Sequence, residues 1–197
     1  MNLFNHHFFG ISAGVISVLS FIPYIRAILK GSTRPSGPSW WTWFLITTVT
    51  VSSSWASGAT WQVLILPIWL CFSQAFIALL SLKRGDNNWD KLNIFCIGFS
   101  VVGLLLWLFT KQPLYALALS ILADIFASIP NIRHVWKNPE QEDKLAWSLG
   151  WLSSLLQIFA ISIWTLAEAG WTSYFFVSMT ITLVIIFKPS YKFFFSK

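Results

Sequence analysis

Asp124 is the residue of this sequence best suited to chemistry, because it is the only charged residue between Lys111 and Arg133 in a strongly apolar stretch. An ionised carboxylate at the centre of a membrane costs about 3 kcal/mol, so such a group faces a protein interior, pairs with a partner or carries a proton. Two interpretations stay open. Asp124 either binds a proton or a cationic group of a solute, or it accepts hydrogen bonds from interior donors such as Ser17 and Gln157 and holds helices together.

Polar residues recur around Asp124 at helical spacing. Ser120, Asp124, Ser128 and Asn131 stand at positions i, i+4, i+8 and i+11, which puts them on one face of a helix. We expect this face to line an interior site for a proton or a polar solute. A milder stripe occurs earlier in the chain and consists of Ala13, Ser17, Ser20 and Tyr24.

Three more side chains inside apolar segments extend the candidate site. Trp69, with Gln74 five residues later, lies in mid-segment, where an indole either stacks against a ring-shaped solute or packs between helices. Gln157 is an uncharged polar residue in another apolar segment and either binds solute or bonds a neighbouring helix.

The sequence lacks the patterns typical of enzymes. Its three histidines form no metal-ligand spacing with Asp or Cys, and no glycine-rich phosphate loop is present. Cys71 and Cys96 both fall in apolar stretches, as small buried side chains do, and indicate no disulfide framework. We therefore expect no catalytic activity, no metal and no cofactor.

The composition indicates that lipid surrounds these residues. Apolar residues make up 56% of the 197 positions and charged residues 10%, whereas soluble proteins have about 45–50% and about 25%. Helices of roughly 20 uncharged residues cross a membrane. We predict an all-α integral membrane protein from four runs without Asp, Glu, Lys or Arg, namely Pro35–Leu82, Leu92–Thr110, Leu145–Ala167 and Ala169–Phe187.

These runs, with the segments around them, predict seven membrane-spanning helices. A cluster of small and helix-breaking residues at 56–60, flanked by Trp55 and Trp61, divides the longest run into two helices joined by a tight turn. The N-terminal segment has no Lys or Arg before Arg26, which favours a retained first span over a cleaved signal peptide. The predicted spans are 8–30, 39–57, 61–82, 92–110, 113–136, 145–164 and 169–187.

Basic residues set the predicted orientation. Three Lys or Arg lie near or just after the end of each of the first, third, fifth and seventh spans, so 12 of the 13 lie on one side and only Lys111 lies opposite. Such a bias marks the cytoplasmic face and accounts for the net charge of +6 without a nucleic-acid partner. We expect a multi-pass protein of a bacterial cytoplasmic (inner) membrane, with its N-terminus outside and its C-terminus in the cytoplasm.

The chain carries a weak internal repeat. When it is shifted by 107 residues, seven of the 24 positions from 22 to 45 are identical, beginning with Ile22-Pro23 on Ile129-Pro130; chance gives roughly one or two. The repeat predicts two parallel three-helix units, 8–82 and 113–187. A linker helix at 92–110 inverts the chain between them.

The matched Pro23 and Pro130 lie near the cytoplasmic ends of the first helix of each unit. A proline within a membrane helix removes a backbone hydrogen bond, and the resulting kink is either a flexible gate or a fixed packing feature. This arrangement resembles the PQ-loop superfamily, which includes SWEET-like sugar transporters, Pnu-type vitamin transporters, cystinosin-like carriers and the KDEL receptor. The name-giving Pro-Gln pair is Pro23-Tyr24 in one unit and Pro130-Asn131 in the other.

The resemblance implies a small polar solute as partner, carried by alternating access between the two units, as a uniporter or with protons. Pro23 and Pro130 would be the hinges. Two alternatives remain, a receptor that transports nothing and a structural or assembly subunit on the same scaffold. A complete pair of repeats in one chain can form a pathway without a second copy, so an oligomer is not required.

Overall fold

The chain is helical in nearly all of the part that the structure describes. The computed structural model describes residues 3–31, 35, 37–85, 87, 89, 91–137, 139 and 144–188, without the side chains of 3, 4, 130, 131, 133, 134 and 137. No strand occurs within these ranges. The helices are α1 (Leu3–Lys30), α2 (Gly37–Ala56), α3 (Trp61–Arg84), α4 (Lys91–Thr110), α5 (Pro113–Lys137), α6 (Lys144–Phe159) and α7 (Trp171–Ile186), and one π turn (Leu166–Gly170) directly precedes α7.

Four helical segments are long and apolar enough to cross a membrane. They match the first, third, fourth and seventh predicted spans and identify an all-α membrane protein. The segments are Asn5–Lys30, Trp61–Arg84, Lys91–Thr110 and Leu166–Ile186.

The other three helices are shorter or more polar. α6 has 16 residues, and the apolar part of α5 is Pro113–Ile129. α2 has 20 residues but is rich in hydroxyl groups, and several of these donate to carbonyls of the preceding turn, as Thr42 does to Pro38 at 2.8 Å and Ser53 to Val49 at 2.6 Å. Such bonds satisfy hydroxyls inside a helix without a partner from another element.

The predicted turn at 56–60 is confirmed, and the end of the sixth predicted span differs. α2 ends at Ala56, α3 begins at Trp61, and Gly58 between them has φ +88°, a conformation that favours glycine. The predicted span 145–164, by contrast, stops being helical at Phe159. Residues 160–165 form a connection instead, in which the backbone N–H groups of Ser162 and Ile163 bond to a side chain farther along the chain.

Glycines let α1 approach α3 closely. Gly10 and Gly14 are one turn apart, and a Cβ on Gly10 would clash with the backbone of Gln62. A Cβ on Gly14 would lie 2.5 Å from a methyl carbon of Ile65 and 3.0 Å from the ring of Trp69. Small residues at this spacing are typical of close helix pairs in membranes, where packing drives association.

The helices pack within and between two groups of three. α1 packs against α3 and α6, α2 packs against α3 and α5, and α7 packs against α5 and α6. We call α1–α3 the first half and α5–α7 the second half. The α1–α6 and α2–α5 contacts join the two halves. α4 packs against α5 and α2.

The bundle has two chemically different ends. The turn end contains the 56–60 turn, the 160–165 connection and the π turn, which meet around Glu168. The basic end contains cations that follow or precede helices, and there Lys188 lies 3.5 Å from the ring centre of Trp136 and Lys144 lies 5.4 Å from that of Phe187.

Candidate functional site

The structure brings Asp124 of α5 together with aromatic residues of α7. Its carboxylate is adjacent to the indole of Trp171 and interacts electrostatically with the hydroxyl of Tyr174. That hydroxyl also interacts with Ser128, one turn after Asp124, and with Ser178. The buried indole N–H of Trp171 faces the carboxylate without completing a hydrogen bond of ordinary geometry. The group therefore contains one acid, three hydroxyls and an unused donor.

This polar group borders the core where the two halves meet. Trp171 is 4% exposed and packs with Ala13 of α1, Leu66 of α3 and Leu117 of α5. Asp124 itself keeps some accessible surface although protein atoms surround its carboxyl group. The carboxylate therefore lies inside the bundle rather than on its outer surface.

Ser120, one turn before Asp124, connects the halves. Its hydroxyl accepts a 2.9 Å hydrogen bond from Thr50 of α2 and donates one of 2.9 Å to the carbonyl of Leu117. The equivalent position 107 residues earlier is Ala13, whose carbonyl accepts a 2.8 Å bond from Ser153 of α6. At both positions the second helix of the opposite half supplies the donor.

Other predicted site residues lie apart from this group. Trp69 is 46% exposed, packs over Gly14 and contacts Phe72 at 6.3 Å between ring centres. Tyr24 is half-buried and packs against Trp40 at 5.5 Å.

The remaining predictions are distributed along the bundle. Ser17 is 2% exposed, and Pro23 lies half-buried within α1. Gln74 has a buried amide oxygen without a hydrogen-bond partner among the described residues. Pro130 and Asn131 lie in α5, and their side chains are outside the described residues.

Gln157 bonds to helix α3 rather than to Asp124, and a proline explains its position. Pro67 of α3 has no N–H, so the carbonyl of Val63 four residues earlier has no helical donor. The Gln157 amide donates to this carbonyl at 2.5 Å and lies 3.4 Å from that of Gln62. The backbone hydrogen bond that α3 lacks at Pro67 is thus replaced by one from a side chain of the second half.

Glu168, which sequence analysis did not single out, is the centre of the turn end. Its side chain is 3% exposed and accepts backbone N–H groups from Ser162 and Ile163 at 2.9 Å each and from Thr60 at 3.2 Å. The signal was present in the sequence, since Glu168 alone separates two uncharged runs, Leu145–Ala167 and Ala169–Phe187. A lone charge between two apolar runs also occurs in ordinary loops, so this signal does not specify burial.

A cavity of about 300 Å³ opens beside Glu168. It lies between the halves, since Ser57 and Gly58 line it from the first half and Leu114 and Ile163 from the second. The buried hydroxyls of Ser57 and Thr60 at this end have no hydrogen-bond partner. Within the described residues, no group of three His, Cys, Asp or Glu side chains could share a metal ion.

Comparisons with protein-family models, with curated proteins and with solved structures find no match to this chain. The assignment of a function therefore depends on the geometry of the chain itself.

Proposed function

We propose that this protein transports a small polar solute by alternating access across a bacterial cytoplasmic membrane. Its seven helices would cross the membrane as two parallel three-helix repeats, with α4 as the inverting linker and the N-terminus outside, an arrangement similar to that of the PQ-loop superfamily. The observation that carries the proposal is the position of Asp124 beside Trp171, at the border of the core where both halves pack together. Acidic residues at such positions are typical of solute and proton pathways.

The helix contacts support the repeat. The six main contacts among α1–α3 and α5–α7 form three pairs under the same shift that aligns Pro23 with Pro130. The equivalent positions Ala13 and Ser120 both receive a hydroxyl donor from the opposite half. A seam between two similar units that carries polar groups is where transporters of this design bind solute.

Asp124 would bind either a proton or a donor group of the solute. A carboxylate accepts hydrogen bonds from ammonium and hydroxyl groups, and the hydroxyls of Ser128 and Tyr174 would orient a polar solute next to it. Tyr174 and Trp171 would form the wall of the site. Motion of one half against the other would expose this site to each side of the membrane in turn.

Solute flux into proteoliposomes tests the proposal. Thermal stabilisation across a panel of sugars, vitamins, nucleosides and amino acids first selects the solute, and flux of that solute is then measured with and without a pH gradient. We expect Asp124→Asn to slow flux by about tenfold or more, equivalent to a charge-assisted hydrogen bond of roughly 1.5 kcal/mol, and to change its pH dependence. Ser100→Ala is the matched control, because Ser100 is buried in α4 and bonds only to the carbonyl of Cys96.

A receptor or an assembly subunit on the same scaffold is the second candidate. The hydrogen bonds between the halves favour it, since a bundle held by Glu168, Gln157 and Ser153 has less freedom to rock. A receptor would be stabilised by its ligand and would move none across the bilayer. Stabilisation by a ligand without flux of that ligand would therefore favour the receptor. If Asp124→Asn changed neither the rate of flux nor its pH dependence, Asp124 would have no role in transport.

A further inference from the structure

The Glu168 carboxylate is bonded across the two halves of the molecule. Ser162 and Ile163, two of its three donors, belong to the α6–α7 connection, whereas Thr60 is the residue that precedes α3. Thr165 accepts the backbone N–H of Glu168 at 3.4 Å and fixes the start of the π turn. One side chain thus determines where the first residues of α3 lie relative to the second half.

Neighbouring hydrogen bonds add to this contact at the same end. The Gln62 amide donates to the hydroxyl of Ser162 at 2.7 Å, and His6 is 3.0 Å from the carbonyl of Phe159. Each of these bonds also joins α1 or α3 to the second half. In the described conformation these bonds hold the two halves together at the turn end.

Three observations indicate that the bond between Glu168 and Thr60 can be replaced when this end rearranges. Glu168 is held by backbone N–H groups, which water or a polar solute can replace. It lines the cavity between the halves, from which such molecules reach it. The buried hydroxyls of Ser57 and Thr60 have no partner here and would gain one in a different arrangement of this end. A π turn, which is frequent at functional sites, carries the residue.

We propose that Glu168 is the latch that keeps the turn end of the pathway closed and that it must release Thr60 before this end opens. The inference rests on the proposed alternating-access function. It adds the residue that separates the closed state from the open one. It also predicts that removal of the latch opens this end in the absence of any solute.

Cysteine accessibility tests the latch without a substrate. Ser54 is the reporter, because it is 4% exposed and lies one helical turn after Thr50 on the face of α2 that meets α5. Ser54→Cys is introduced with Cys71 and Cys96 replaced by alanine, and the purified protein in nanodiscs is treated with a charged thiol reagent. We expect the labelling rate to rise about tenfold or more when Glu168→Ala is added, and by less with Glu168→Gln, which keeps one acceptor oxygen.

Two control cysteines separate opening from general loosening. Trp55→Cys lies on the exposed side of the same turn and should be labelled equally in all backgrounds, while Ser81→Cys, buried at the basic end, should stay protected. Protection of Ser54→Cys in both Glu168 variants would overturn the latch, and so would a parallel loss of protection at Ser81→Cys. Solute flux is measured in a separate experiment. If the Glu168 variants expose Ser54→Cys but the protein moves no solute, the transport proposal is refuted and the latch is not.

Discussion

The hydroxyl of Thr50 donates a 2.9 Å hydrogen bond to the hydroxyl of Ser120, and both side chains are buried, with exposures of 1% and 0%. This bond joins α2 of the first half to α5 of the second. Ser120 therefore faces the first half, whereas Asp124, one turn later, borders Trp171 of α7. The polar face of α5 is thus shared between two neighbouring helices.

Thr50 and Ser120 should be energetically coupled. Thr50→Val leaves the shape of the side chain nearly unchanged and removes the donor, and we expect it to lower the free energy of unfolding by about 1 kcal/mol. Ser120→Ala should cost a similar amount. Because both changes remove the same bond, the double variant should cost less than the sum by about 0.6 kcal/mol, measured by unfolding in mixed micelles. Strict additivity would show that the bond does not form in the membrane.

Close packing of α1 on α3 should make Gly10 intolerant of a side chain. A Cβ there meets the backbone of Gln62, which cannot move aside as a flexible side chain would. We expect Gly10→Ala to destabilise the protein by about 1–3 kcal/mol, seen as a lower melting temperature in detergent.

Gly98→Ala provides the control for this substitution. Gly98 lies within α4, and a Cβ added there meets no atom within 4 Å. Alanine is the better helix former, so this change should be neutral or stabilising by up to about 1 kcal/mol. Equal effects of the two substitutions would contradict the close contact between α1 and α3.

The role of Gln157 should depend on Pro67. Gln157→Leu leaves the carbonyl of Val63 without a donor and should cost about 1–2 kcal/mol of unfolding free energy. In a Pro67→Ala background the restored N–H of residue 67 bonds this carbonyl within α3. The same Gln157→Leu change should then cost about half as much. An identical cost in both backgrounds would mean that Gln157 acts elsewhere.

The distribution of basic residues predicts which end faces the cytoplasm. Lys111 and Lys83 are both exposed and lie in different parts of the chain, one between α4 and α5 and the other in the last turn of α3. In intact cells a charged thiol reagent should label Lys111→Cys at once. It should label Lys83→Cys only after the cells are permeabilised. The reverse pattern would invert the orientation.

The ends of the helices were predictable from the sequence where neighbouring residues in the chain determine them. Gly58 and the small residues around it end α2 and begin α3 wherever the neighbouring helices lie. The end of α6 was not predictable in this way. Residues 160–165 are apolar enough to extend a helix, but the N–H groups of Ser162 and Ile163 bond to Glu168 instead of to helical carbonyls.

The candidate site was predictable only in part for the same reason. Helical periodicity alone put Ser120, Asp124 and Ser128 on one face. Periodicity does not say which helix that face meets, so Trp171 and Tyr174 were absent from the predicted site. One of the two interpretations made Gln157 a donor to Asp124, whereas its amide bonds to the carbonyl freed by Pro67. The partner of Gln157 depends on the approach of two helices that are far apart in the sequence.

By itself, the sequence determined that the chain is helical and contains membrane-spanning segments. Uncharged apolar runs of this length are stable in lipid rather than in water, and in lipid their backbone N–H and C=O groups must bond within the helix. The sequence also determined where Asp124 stands on its helix, since that depends only on 3.6 residues per turn. The tertiary structure alone decided which groups pair across the two halves. Hydrogen bonds such as those of Thr50 to Ser120 and of Thr60 to Glu168 join residues 70 and 108 positions apart, and only the packing of the helices brings such residues within reach.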